Sequence, residues 1–203
     1  MVRRALSLIL LSLAAGAPVQ ATQDAWPALH DVAGVAADDV LNIRRAPDAR
    51  SDIVGRLAPD RRGVEVLRTT PDERWGLVNR DGGMGWVSMR YLDRGPGQWA
   101  GAFPEIRACF GTEPFWSLRL DGDVIEWSTP EGAADGTVIA RLGATARRDR
   151  HGLVATIDRM PMTGILSARA CSDGMSDAEW GLALDAVLGA EVLSGCCTLD
   201  PAR

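Results

Sequence analysis

"VLNIRRAPDARSDIVGRLAPDRRGVEVL", Val40 to Leu67, alternates short apolar runs with turn residues. Leu41-Asn42-Ile43 leads into a Pro47-Asp48 turn, Ile53 to Leu57 follows, and Val64-Glu65-Val66-Leu67 closes the stretch. Runs this short, spaced about ten residues apart by turn residues, predict the strands of a small β barrel. Downstream, Trp75 to Val78 reads as a strand, Asp81-Gly82-Gly83 as a hairpin turn, and Gly85-Trp86-Val87 as the returning strand. Upstream, a first strand is predicted at Asp31 to Val35. The expected unit covers residues 30–93, and the Gly- and Pro-rich residues 94–99 are expected to be a linker.

Residues 100–200 predict a second β domain. Phe115 to Leu120, the turn Asp121-Gly122-Asp123, and Val124 to Ser128 form a hairpin pattern. Val138 to Leu142, Leu153 to Ile157, Gly164 to Ala170, Trp180 to Val187 and Glu191 to Cys196 add strands, and Trp180, Leu182, Leu184 and Ala186 share one face. The chain is therefore expected to be all-β, with an antiparallel barrel or curled sheet after the smaller barrel.

Residues 1–21 read as a secretory signal peptide: Arg3-Arg4, an apolar run from Ala5 to Ala15, then the small-residue site Val19-Gln20-Ala21. No later stretch approaches a membrane-spanning length, so the mature chain of about 180 residues is expected to be periplasmic or secreted and not membrane-spanning. All of the 22 basic residues are arginine; without Arg3 and Arg4, 20 remain against 27 acidic residues. That balance disfavours a nucleic-acid partner, which needs a clustered positive excess. Arg44-Arg45, Arg61-Arg62 and Arg147-Arg148 read as solvated surface.

Cys109, Cys171, Cys196 and Cys197 are the four cysteines, all in the second half. An even number in an oxidising compartment implies two disulfides. Joining the neighbours Cys196 and Cys197 to each other is geometrically unfavourable. Two pairings remain: Cys171 with either of them, and Cys109 with the other.

"CFGTEPFWSL", Cys109 to Leu118, looks at first like a catalytic site. A cysteine nucleophile needs a nearby base. The only histidines are His30 and His151, and His151 in "RRDRHGLV" reads as an exposed hairpin end. No Gly-x-Ser-x-Gly elbow, HExxH, CxxC or calcium-loop motif occurs, so no catalytic residue, metal or cofactor is assigned. Glu113 with Asp173 or Asp177 is the one carboxylate couple suited to glycan chemistry. Its other reading is that Glu113 fixes the strand entry before Pro114. Trp116 and Phe115 alternate, so one faces a core and the other a surface. "CSDGMSD", Cys171 to Asp177, reads as a tight loop whose Ser and Asp side chains bond nearby amides, with a two-carboxylate calcium site as the alternative.

Two resemblances follow. "LNIRRAPD", the "GWV" at Gly85 to Val87 and the final Tyr91-Leu92 resemble a bacterial SH3-like domain, which implies a small barrel used by envelope proteins to hold peptides or glycans. "GTEPFWSL", "CSDGMSD" and "LSGCC", in that order, resemble a domain of bacterial envelope proteins and lipoproteins with no assigned activity. The second domain is also similar in general look to small periplasmic barrels that inhibit lysozyme, though it lacks their Ser-Gly-x-x-Tyr loop, and the chain's only tyrosine, Tyr91, belongs to the SH3-like region. The expected function is non-enzymatic binding of peptidoglycan or a cell-wall peptide, with Trp75, Trp86, Tyr91, Glu113 and Trp116 as candidate ligand contacts. The alternatives are an inhibitor of a lysozyme-type hydrolase, whose partner would be an envelope protein, or a glycan-acting enzyme using Glu113.

Overall fold

A computed structural model describes residues 24–81 and 83–200; the expected signal peptide lies outside them. Among these residues the chain is all-β, apart from one 3-10 turn at Met89–Tyr91. The first unit holds β1 (Ala28–Val32), β2 (Leu41–Arg44), β3 (Ile53–Leu57), β4 (Val64–Thr69), β5 (Trp75–Arg80), β6 (Gly83–Ser88) and β7 (Leu92–Arg94). They form one sheet in the order β3-β2-β6-β5-β4-β1-β7. Its core is Val32, Leu41, Ile43, Val64, Val66, Val78, Val87 and Leu92, contributed by alternate positions of six strands. The expected first strand lies three residues earlier than Asp31 to Val35, because β1 is held between β4 and β7, and Ala33 already bonds out to the Tyr91 carbonyl.

The second unit is a closed barrel of eight antiparallel strands: β8 (Ala108–Thr112), β9 (Phe115–Asp121), β10 (Val124–Thr129), β11 (Gly132–Gly143), β12 (Arg150–Ile157), β13 (Met160–Cys171), β14 (Trp180–Leu188) and β15 (Glu191–Thr198). Each strand pairs with the next, and β15 returns to β8. Eight strands enclose just enough space for side chains. Leu118, Leu120, Ile125, Leu153, Ile157, Leu166, Leu182 and Leu184 fill it.

The barrel decides the disulfide pairing. Successive residues of a strand face opposite sides. In β15, Cys197 faces the interior and bonds Cys109, its direct register partner on β8. Cys196 faces outward and bonds Cys171, beside Phe110 and Trp180. The bridges close loops of 88 and 25 residues. Loop entropy alone assigns them about 4.6 and about 3.5 kcal/mol.

The two units are locked together. β1 turns His30 and Val32 to the first sheet's own core side and Leu29 to the barrel, where it packs on the barrel core. Across from Leu29, Glu65 of β4 is buried against the barrel's last strand. Its carboxylate accepts the Thr198 hydroxyl, and the Leu199 amide at 3.2 Å. Asn79 bonds both the Glu179 carbonyl (2.7 Å) and the Glu179 amide (3.3 Å), Arg68 pairs with the Glu179 carboxylate, and Arg61 pairs with Asp200 at 3.2 Å. Residues 94–99 are correspondingly no loose tether. Gln98 bonds both backbone groups of Leu29, and Arg94 bonds the Ala25 and Gln98 carbonyls.

Glu65→Ala leaves Thr198 and Leu199 with buried donors and no carboxylate. A loss of about 2–4 kcal/mol is expected in urea denaturation, together with faster proteolysis between the units; Glu65→Gln, which keeps an acceptor, loses less.

Candidate functional site

The β5–β6 hairpin sets the positions of two candidate aromatics. Trp75 pairs with Ser88 and Leu77 with Trp86, so the two tryptophans lie diagonally on one face. Val78 and Val87 occupy the other face, in the core. Both rings are half-buried and share their face with the buried Leu77. Tyr91 does not join them: it packs against the core cluster containing Val32 and Leu41. The expected groove of three aromatics is therefore divided between two faces of the sheet.

In "CFGTEPFWSL" the connection Glu113-Pro114 joins β8 to β9, with a cis bond and Thr112 paired to Phe115. Glu113 is exposed at the turn, and Phe115 faces solvent. Trp116, assigned above to ligand contact, lies instead in the barrel core, stacked on Trp127 at 5.3 Å. Its indole occupies space left by Gly111 and Gly195. A Cβ on Gly195 would meet the Phe110 carbonyl oxygen at 2.2 Å and the Trp116 ring at 2.6 Å. Both glycines lie within the sequence motifs, and their role is to admit this ring.

The "CSDGMSD" loop closes on itself as its composition predicts. Asp173 accepts the Met175 and Ser176 amides, each at 3.0 Å, and the Ser176 hydroxyl, while Gly174 takes φ 70°. Desolvation raises the Asp173 pKa, but these hydrogen bonds outweigh it and hold the group below the usual carboxylate range. A general acid requires the opposite shift. No group of three or more His, Cys, Asp or Glu among the described residues is placed to hold a metal.

What the loop does is form one wall of a trough of about 850 Å³ between the two units. Ile43, Val54 and Leu57 form the first unit's apolar side, and Trp180 faces from the barrel. Arg80 reaches along it, its guanidinium donating to the Met84 (3.3 Å) and Asp81 (2.8 Å) carbonyls. Arg56 is exposed there without a carboxylate partner among the described residues. Asp81, Asp173 and Asp200 supply acidic groups along the same trough. Sequence reasoning missed this site because its two sides come from segments about 90 to 160 positions apart.

Comparison with known families matches residues 39–93 to the bacterial SH3 domain. The match spans β2 to β6 and most of β7 of the first sheet. The match accounts for "LNIRRAPD", "GWV" and Tyr91-Leu92 and ends at Asp93, one residue short of the end of β7. Neither the curated proteins nor the solved structures contain a match to the chain. The two disulfides are consistent with an oxidising, extracytoplasmic compartment. No helix among the described residues is long and apolar enough to cross a membrane.

Both histidines are buried, contrary to the exposed turn expected for His151. His151 shares an interior row of β12 with Leu153, Ala155 and Ile157. Burial lowers its pKa against the nearby Asp149. Burial also lowers that of His30, against its bond to the Ala28 carbonyl; Arg94 lowers it further, and Asp24 and Asp31 raise it.

Gly195→Ala is expected to cost about 2–3 kcal/mol in denaturant unfolding, because the backbone of Phe110 would have to move. A histidine held neutral binds fewer protons folded than unfolded, so stability falls as pH drops below about 6.5. Thermal melts from pH 7.5 to 5 should show falling midpoints, with a shallower slope in His151→Phe.

Proposed function

We propose that the chain is a non-enzymatic periplasmic or secreted protein that binds peptidoglycan by its peptide stems. The observation that carries this reading is the trough between the SH3 domain and the barrel. Bacterial SH3 domains are consistent with wall binding, and here the domain's open side is completed by a second unit rather than left as an isolated patch. A stem peptide presents free carboxylates, amide groups and small apolar side chains. Arg56 and Arg80 match the first, the exposed Asp173 loop the second, and Val54, Leu57 and Trp180 the third. Mixed charge along the trough suits a zwitterionic peptide better than a uniformly acidic or basic polymer. The half-buried Trp75–Trp86 pair offers a second, stacking contact to saccharide.

The non-enzymatic reading rests on what the carboxylates are doing. Asp173 is engaged by its own loop, and Glu113 stands at the exposed turn between β8 and β9.

Purified residues 22–203 should sediment with intact sacculi at low salt. Arg56→Glu, an exposed position, should weaken that sedimentation about fivefold or more with an unchanged near-UV spectrum. Soluble stem peptide should compete strongly, and glycan strands stripped of peptide far more weakly. Absence of sedimentation with sacculi sinks the proposal. At stoichiometric protein the rate of wall lysis by lysozyme should remain unchanged; a slowed rate would move the barrel to the inhibitor reading.

A further inference from the structure

Apolar side chains fill the barrel's interior, and a pocket opens at one of its mouths. The interior row of β12 runs Ile157, Ala155, Leu153 and ends in His151, where a pocket of about 340 Å³ opens. The SH3 domain's lead-in and the connection between the units cover this mouth. Trp26, Leu29, Trp99 and Phe103 form its outer walls, and Leu182 and Leu199 belong to the barrel. This size and apolar lining are those of a small-molecule site. Trp99 is half-exposed at the edge, which leaves an approach from solvent.

His151 is the one buried polar side chain in this lining. It is 5% exposed, Phe103 packs edge-on against its ring at 5.5 Å, and its Nδ1 has no hydrogen-bond partner among the described residues. An unpaired nitrogen buried in an apolar wall is costly and calls for a partner. The other polar groups do not reach inward for one. Gln98 is consumed by Leu29 and Gly95, and Asp31 by the Gly63 amide and Arg62. Glu105 and Arg148 are exposed and of opposite sign, so the mouth offers an ion no net countercharge.

We infer that the barrel mouth binds a small uncharged ring molecule carrying one hydrogen-bonding group, of the phenol or indole class, with the ring against Trp99 and Phe103 and the polar group on the His151 imidazole. The imidazole is held neutral by burial. A charged ligand would have to be desolvated against that neutral ring, which is far more costly than burying a hydroxyl that gains a hydrogen bond. Nothing in this site depends on the trough or on wall binding.

The test compares three probes of one shape: p-cresol, benzoate and benzylamine, titrated into residues 22–203 at pH 7.5. The readout is the indole N–H resonances of Trp26 and Trp99. p-Cresol should give saturable shifts and bind at least tenfold more tightly than either ion. His151→Phe, which keeps the ring volume but removes the nitrogen, should weaken p-cresol about fivefold. Trp99→Ala, at an exposed position, should weaken it as well and decides the matter should His151→Phe fail to fold. Non-saturable shifts, equal or tighter binding of an ion, or p-cresol affinity unchanged in a folded His151→Phe or in Trp99→Ala overturns the inference.

Discussion

The Glu65 carboxylate is the contact on which the arrangement of this molecule turns. It belongs to the SH3 domain by sequence and to the barrel by its bonds, accepting from Thr198 and Leu199 at the end of the last strand. A buried carboxylate served by neutral donors holds its place only while those donors stay within reach, because either half left alone loses its hydration without compensation. Leu29, its register partner, adds the apolar part of the same contact. The β1–β4 pair thus has two buried faces, one to each unit. The trough and the barrel mouth lie on either side of this lock, and each takes residues from both units.

Strand periodicity made much of this legible. Leu41, Ile43, Val64, Val66, Val78 and Val87 are the alternating positions of the sequence pattern, and they are the core. The same rule bears on the vicinal cysteines: Cys196 and Cys197 face opposite sides of β15 and take different partners. Which partner goes with which was not legible, because it depends on β15 closing onto β8 with Cys197 opposite Cys109, a pairing between strands 88 positions apart. Cys171 then stands on the outer face that parity from the inward Met162 and Leu166 assigns it, beside Cys196.

Periodicity also says which face a residue is on, not what covers that face. Glu65 stands at an outward position of its strand, and a charged residue there ordinarily reads as solvated. Its burial is a property of the docked barrel. Tyr91 fails in the opposite direction: it is the last residue of the 3-10 turn, where alternation no longer applies, and packs against the core. His151 did have a signal. It lies two residues before Leu153 and four before Ala155, on their parity, but the charged "RRDR" ahead of it suggested a hairpin end. The strand begins one residue earlier, at Arg150, and carries the histidine into the barrel mouth.

The filled interior constrains what the barrel can contribute. With Leu118, Ile125, Leu153, Leu166 and Leu184 packed across it, no ligand fits along the axis, and only the ends can change partners. One end is the mouth beneath Trp26 and Phe103. The wall of that mouth includes Leu29, which neighbours Glu65 in the β1–β4 ladder. A molecule seated there would touch the strand pair that joins the two units, whereas the trough takes no residue from β1.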